Sequence, residues 1–164
     1  MSTPRELFYQ QHLPLPLEQV FAFFSDAGNL QAITPEWVGF EILTPRPIAM
    51  QAGALIDYRI RLHGIPLRWR TQITVWDPPY RFVDEQLRGP YTLWRHEHRF
   101  EKTTDGTLMT DAISYRMMLD WVPGASLIHR FFVRPDLERI FNYRRSALNR
   151  ALGLEGDSSR ESHS

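Results

Sequence analysis

The sequence predicts an α+β domain: a curved antiparallel sheet of about seven strands wrapped around a long C-terminal helix, with two short helices after the first strand. Two observations carry this. From Gly39 to Met118 apolar residues recur with a period of two, cut at hairpin-like intervals by Pro and Gly at Pro45, Pro47, Gly53, Gly64, Pro78-Pro79, Gly89-Pro90 and Gly106. After Pro123-Gly124 the period becomes helical.

Taken in order, Leu7 to Leu13 reads as an opening strand that ends at Pro14-Leu15-Pro16, because proline has no N–H for a ladder. Leu17, Val20, Phe21 and Phe24 then recur at helical spacing. Ser25-Asp26 can cap a second short helix carrying Leu30 and Ile33, which Thr34-Pro35 stops. In the strand near residues 55–63, Ile56, Tyr58, Ile60 and Leu62 alternate with Asp57, Arg59, Arg61 and His63, so one face is apolar and the other wet. The next strand sets Leu67, Trp69, Ile73 and Val75 against Arg68, Arg70, Gln72 and Thr74. From Ala125 to Ala151, Leu127, Ile128, Phe131, Leu137, Ile140, Phe141 and Leu148 form a helical stripe, with Pro135 marking a kink or a restart. Residues 1–153 thus make one domain, and 154–164 a polar tail expected to be disordered.

Charge and composition narrow the function classes. Nineteen Lys plus Arg balance nineteen Asp plus Glu, which argues against a generic binder of nucleic acid or anionic lipid. Cysteine is absent, which removes disulfides, thiolate zinc sites and a Cys nucleophile. No stretch approaches the roughly 20 apolar residues of a membrane-spanning helix, and Met1 to Glu6 do not open a signal peptide, so the expectation is a cytoplasmic protein without stable membrane insertion. There is no glycine-rich phosphate loop, G-x-S-x-G elbow or dinucleotide fingerprint.

Packing a long helix across a strongly curved sheet leaves space between them, and such cavities are largely apolar with a few placed polar groups. The stretches PLPLEQVFAFFSDAGNLQAITPEW, DEQLRGPYTLWRHEHRFE, GTLMTDAISY and IFNYRR resemble the ligand-binding SRPBCC proteins, of the helix-grip superfamily that includes START domains and the birch pollen allergen. The resemblance runs from about Glu6 to Leu152. It implies a cavity for an apolar ligand; because relatives include carriers, cyclases and hydratases, it leaves the activity open.

Alternation puts Trp94, His96, His98 and Phe100 on one face of a strand and the charged Arg95, Glu97, Arg99 and Glu101 on the other, expected to be the solvent face. Across the Thr103–Gly106 turn a four-residue loop pairs His98 with Asp111 and His96 with Ile113. A two-residue loop is expected to shift this by one pair on each side, and either register leaves Met109, Asp111, Ile113 and Tyr115 on the histidine face. The plainest reading is a buried hydrogen-bond network, completed by the Tyr115 hydroxyl or a tryptophan N–H. An H-x-H pair plus a carboxylate can also form a metal triad, although no third histidine lies near, and a histidine–aspartate pair can do acid–base work. Asp84 and Gln86 precede a possible bulge, so their face stays open. Arg144, Arg145 and Arg150 read as solvated charges.

The function these residues suggest is non-catalytic binding of a small hydrophobic or aromatic molecule, without cofactor or metal, lined by Tyr58, Trp69, Trp94, His96, His98, Asp111 and Tyr115. The alternatives are a cofactor-independent cyclase or dehydratase using a His–Asp pair, and an interaction module presenting Pro35-Glu-Trp37. Oligomeric state is not legible.

Overall fold

The protein is described by a computed structural model over residues 3–154. Strand β1 (Arg5–Leu13) leads into α1 (Leu17–Phe24), α2 (Asn29–Ala32) and a 3-10 turn (Glu36–Val38). The sheet continues with β2 (Glu41–Ile42), β3 (Leu55–Leu62), β4 (Ile65–Asp77), β5 (Arg81–Arg88), β6 (Tyr91–Thr103) and β7 (Gly106–Met117). The chain ends in α3 (Ala125–Ile128), a π-helical turn (His129–Val133) and α4 (Arg134–Ala151). All seven strands are antiparallel, in the order β1-β7-β6-β5-β4-β3-β2. This is the expected helix-grip architecture.

Local chemistry sets the turns. His63 and Gly64 both take positive φ, 49° and 80°, between the paired Leu62 and Ile65, the backbone a two-residue hairpin needs to follow the strand twist. Gly89 is glycine for want of space: a Cβ there would meet Gln86 Oε1 at 2.3 Å. Gln86 bridges the β5–β6 turn, donating from Nε2 to the Tyr91 carbonyl at 2.6 Å and accepting from the Tyr91 N–H at 3.3 Å.

Several expectations need correction. In β4, Thr74 has no partner between the pairs Ile73–Asp84 and Val75–Val83, and this extra residue reverses the alternation. Trp76 therefore packs on Phe21 and Phe82, while Val75 lies outside the core clusters. In the C-terminal segment, the wide π turn shifts the phase of the stripe just before Pro135, which has no N–H to give a continuing helix. Leu127, Ile128 and Phe131 consequently point outward, Phe131 at 63% exposure, and His129 faces inward instead. Leu154 belongs with the domain rather than the tail: its N–H donates to the Asn149 carbonyl at 2.8 Å and its side chain packs on the core. The rest of the expected tail lies outside the described residues.

The core divides in two. One cluster joins Leu13, Phe21, Phe24, Phe82, Phe100, Met109 and Leu148; the other joins Ile60, Trp69, Trp94, Ile113, Tyr115, Leu137 and Phe141. Each element crossing between them changes character at the same level. β6 runs Trp94, His96, His98, Phe100; β7 runs Met109, Asp111, Ile113; α4 runs Phe141, Arg144, Leu148. A polar belt thus separates two apolar halves, and the cavity lies against it.

Candidate functional site

The cavity has a volume of about 200 Å³, is only partly enclosed, and lies between the concave sheet, the α1–α2 segment and α4. Its wall is mostly apolar and aromatic. Tyr58 and Trp69 stack at 5.8 Å, and Trp94 meets Trp69 edge-on at 5.3 Å. The Tyr58 hydroxyl and the Trp69 indole N–H both reach Thr71 Oγ1, at 3.2 and 3.1 Å, which fixes the two rings side by side. Apart from Asp26, exposed at the rim, the ionisable acidic and basic groups on the wall are Asp84, His96, His98 and Arg144, all from the belt.

Register brings the belt together. β6 pairs His98 with Asp111 and His96 with Ile113 on one side, and His96 with Asp84 on the other. Thr103 also pairs with Gly106, leaving Thr104 and Asp105 as a two-residue turn. The shift expected for that shorter loop does not occur, because closing one further pair lengthens the ladder without moving it. His96 Nε2 lies 2.8 Å from Asp111 Oδ1, and His98 Nε2 lies 2.9 Å from Asp84 Oδ2. His98 Nδ1 sits 3.0 Å from the same Asp111 oxygen but off the hydrogen-bond direction, and His96 Nδ1 is 3.7 Å from Asp84. Two imidazoles are thus held between two carboxylates.

The electrostatics follow. Burial pushes the Asp111 carboxyl up, but the Arg144 charge, the hydrogen bond from His96 and the close His98 imidazole overcome it and hold the group well below the usual carboxylate range. Asp84 is likewise raised by burial and lowered further by His98, His96 and Arg144. Burial disfavours protonated His98, yet its two aspartate partners win and its pKa is raised. His96 goes the other way: burial and the neighbouring His98 charge lower it against the pull of Asp111. Of the two coupled imidazoles, His98 is therefore the more readily protonated.

Of the residues singled out from the sequence, Tyr58, Trp69, Trp94, His96 and His98 line the cavity. Asp111, 1% exposed, is not on the cavity wall as expected: it stands behind the histidines and reaches the site only through them. Tyr115 is not on the cavity wall; its hydroxyl meets His129 Nε2 at 2.7 Å. The network is completed by Asp84 and Arg144 instead of Tyr115 or a tryptophan N–H. Arg144 is the clearest correction: it is buried, with its guanidinium over the Phe24 and Phe141 rings at 5.4 and 5.8 Å. The spacing Leu137, Phe141, Arg144, Leu148 places it on the buried stripe, a signal that its charge obscured. Glu97 corrects the expected solvent face of β6: it is buried beneath Arg99 at 2.8 Å, Arg95 at 3.1 Å and Arg81 at 3.5 Å, whose long side chains cover it.

Asp84, His96 and His98 offer ligand atoms within 4.8 Å of one another. The imidazole rings lie 3.8 Å apart and tilted by only 35°, closer to stacked than to converging on one point. A metal there would have to displace the Asp84–His98 hydrogen bond. Around Trp37, Pro35 is buried and the Arg139 guanidinium lies over the Trp37 ring at 4.8 Å, while the Trp37 side chain stays partly exposed. Among the described residues no helix is long and apolar enough to cross a membrane.

Solved structures share this fold across most of the chain. A protein from Thermus thermophilus is 18% identical, with a TM-score of 0.71 over 93% of this chain and 100% of that one. A Mycobacterium smegmatis protein is 13% identical, with a TM-score of 0.67 over 92% of each chain. Ginseng major latex-like protein 151 from Panax ginseng is 13% identical, with a TM-score of 0.54 over 84% of this chain and 97% of that one. No curated protein matches the sequence. The model of the family described as polyketide cyclase / dehydrase and lipid transport matches residues 13–143, most of the chain. With its helix-grip sheet and cavity, the chain belongs to this SRPBCC-type family.

Proposed function

We propose that this protein binds a small hydrophobic or aromatic molecule in the cavity, without catalysis, and orients it by one polar group set against the histidine belt. The observation that supports this is the segregation of the wall: apolar over most of its area, with Asp84, His96, His98 and Arg144 gathered in one belt. An apolar wall supplies affinity by removing ligand surface from water, and a localised polar cluster supplies orientation. Native mass spectrometry of protein purified from its own host tests the reading. One co-purifying small molecule, displaced by indole in titration, supports it; protein that carries no adduct and does not bind indole overturns it.

A second reading has its own observation. His96, the less readily protonated imidazole of the pair, lies on the cavity wall with Nε2 against Asp111, which leaves Nδ1 as the atom to accept a proton. A cofactor-independent cyclisation or dehydration would use it so. Product formed by the wild type and lost in His96→Gln, with binding retained, would favour this enzyme.

A further inference from the structure

Arg144 is buried at 6% exposure, lines the cavity and sits over two aromatic rings, yet its Nε and Nη2 atoms have no hydrogen-bond partner among the described residues. Asp111 Oδ1 lies 3.7 Å from Nη2, near enough for charge attraction but beyond hydrogen-bond distance. That oxygen is already shared by His96 and His98. Buried donors of this kind are nearly always paired, so two orphaned nitrogens on one guanidinium mark a place for an acceptor. Nε and Nη2 form one edge of the planar fork, the edge that meets both oxygens of a carboxylate side-on.

We infer that the ligand is a small monocarboxylate with an aromatic or compact apolar body, its carboxylate on the Nε–Nη2 edge of Arg144 and its body against the aromatic wall. This rests on the reading of the cavity as a binding site. The size fits: an engineered cavity of about 150 Å³ accepts benzene, so about 200 Å³ holds a single ring with a short acidic arm. Charge limits the ligand to a monoanion. Asp84 from β5 and Asp111 from β7 are offset by His98 from β6 and Arg144 from α4. One further negative charge is balanced when His96, which faces Asp84, Asp111 and His98, takes a proton. A phosphate dianion leaves a charge uncompensated beside two carboxylates. Binding of the acid is therefore linked to proton uptake and strengthens as pH falls toward the ligand's own ionisation.

The test uses phenylacetate and its neutral isostere phenylacetamide, titrated calorimetrically into the full chain, with toluene as an apolar control. The acid should bind at least about tenfold more tightly than the amide near pH 7, and more tightly still as pH is lowered from about 8 to about 6. Arg144→Gln should bring acid and amide within about twofold. Equal affinity for acid and amide in the wild type overturns the inference, as does an acid preference that survives the substitution. If Arg144→Gln fails to fold, the wild-type ratio decides alone. Toluene and amide binding without an acid preference removes only the carboxylate assignment. Failure of all three probes removes the cavity reading and this inference together.

Discussion

Asp111→Asn tests the belt most directly, because the substitution keeps the shape of the side chain and removes its charge. In the folded protein Asp111 accepts from His96 at 2.8 Å, faces His98 Nδ1 at 3.0 Å and lies 3.7 Å from Arg144, all buried. Removing one partner of a buried charge network costs about 3–5 kcal/mol, since the cations left behind have no solvent. Asparagine can still accept one hydrogen bond, and Asp84 still holds His98, so the lower end applies: a loss of about 3 kcal/mol near neutral pH. At about 2–4 °C per kcal/mol for a domain of this length, the midpoint should drop by about 6–12 °C. The pH dependence has a definite sign. The folded Asp111 carboxyl lies well below its ordinary value, so its contribution is present above about 3.9 and is lost as pH falls through the folded value. Wild type and variant should therefore converge in strong acid. Urea unfolding at a series of pH values measures both effects. A loss under about 1 kcal/mol at neutral pH, or a gap that stays constant into acid, refutes a charged, coupled belt.

Tyr115→Phe removes a hydroxyl that meets His129 and leaves the cavity wall intact, so stability should fall by about 1 kcal/mol with ligand affinity unchanged; a binding loss would place Tyr115 in the site. His98 has a raised folded pKa, so its stabilisation is full below about 6.5 and is lost as pH rises through the folded value. His98→Gln should flatten the decline of the wild-type melting temperature on the alkaline side of neutrality, and an unchanged slope refutes the assignment. Ending the chain after Leu154 should leave the melt within a degree or two, whereas ending it after Leu152 removes a packed side chain and should lower it by a few degrees, about 1 kcal/mol. Equal melts for the two truncations would show that Leu154 packing adds nothing.

Periodicity and turn chemistry were enough to place the opening strand, the short helices, the antiparallel meander and the closing helix, because these are local properties of the chain. Alternation likewise put Trp94, His96, His98 and Phe100 on one face, with Asp111 on that same face of the neighbouring strand. What lay beyond the local pattern depended on register and phase. Asp84 entered the site because β5 meets β6 with Asp84 opposite His96, a pairing that follows the turn at Gly89 bridged by Gln86. The extra residue Thr74 turned Trp76 inward, and the π turn ahead of Pro135 turned Leu127 and Phe131 outward. Arg144 and Glu97 were misjudged for a shared reason: charge is a statistical guide to exposure, but burial depends on what else reaches the same place. Opposite charges met there: Asp84 and Asp111, from strands distant in sequence, beneath Arg144, and Arg81 of β5 with the same-strand neighbours Arg95 and Arg99 over Glu97. Only tertiary packing decides such compensation, because desolvating a charge becomes tolerable only once its partners are in place.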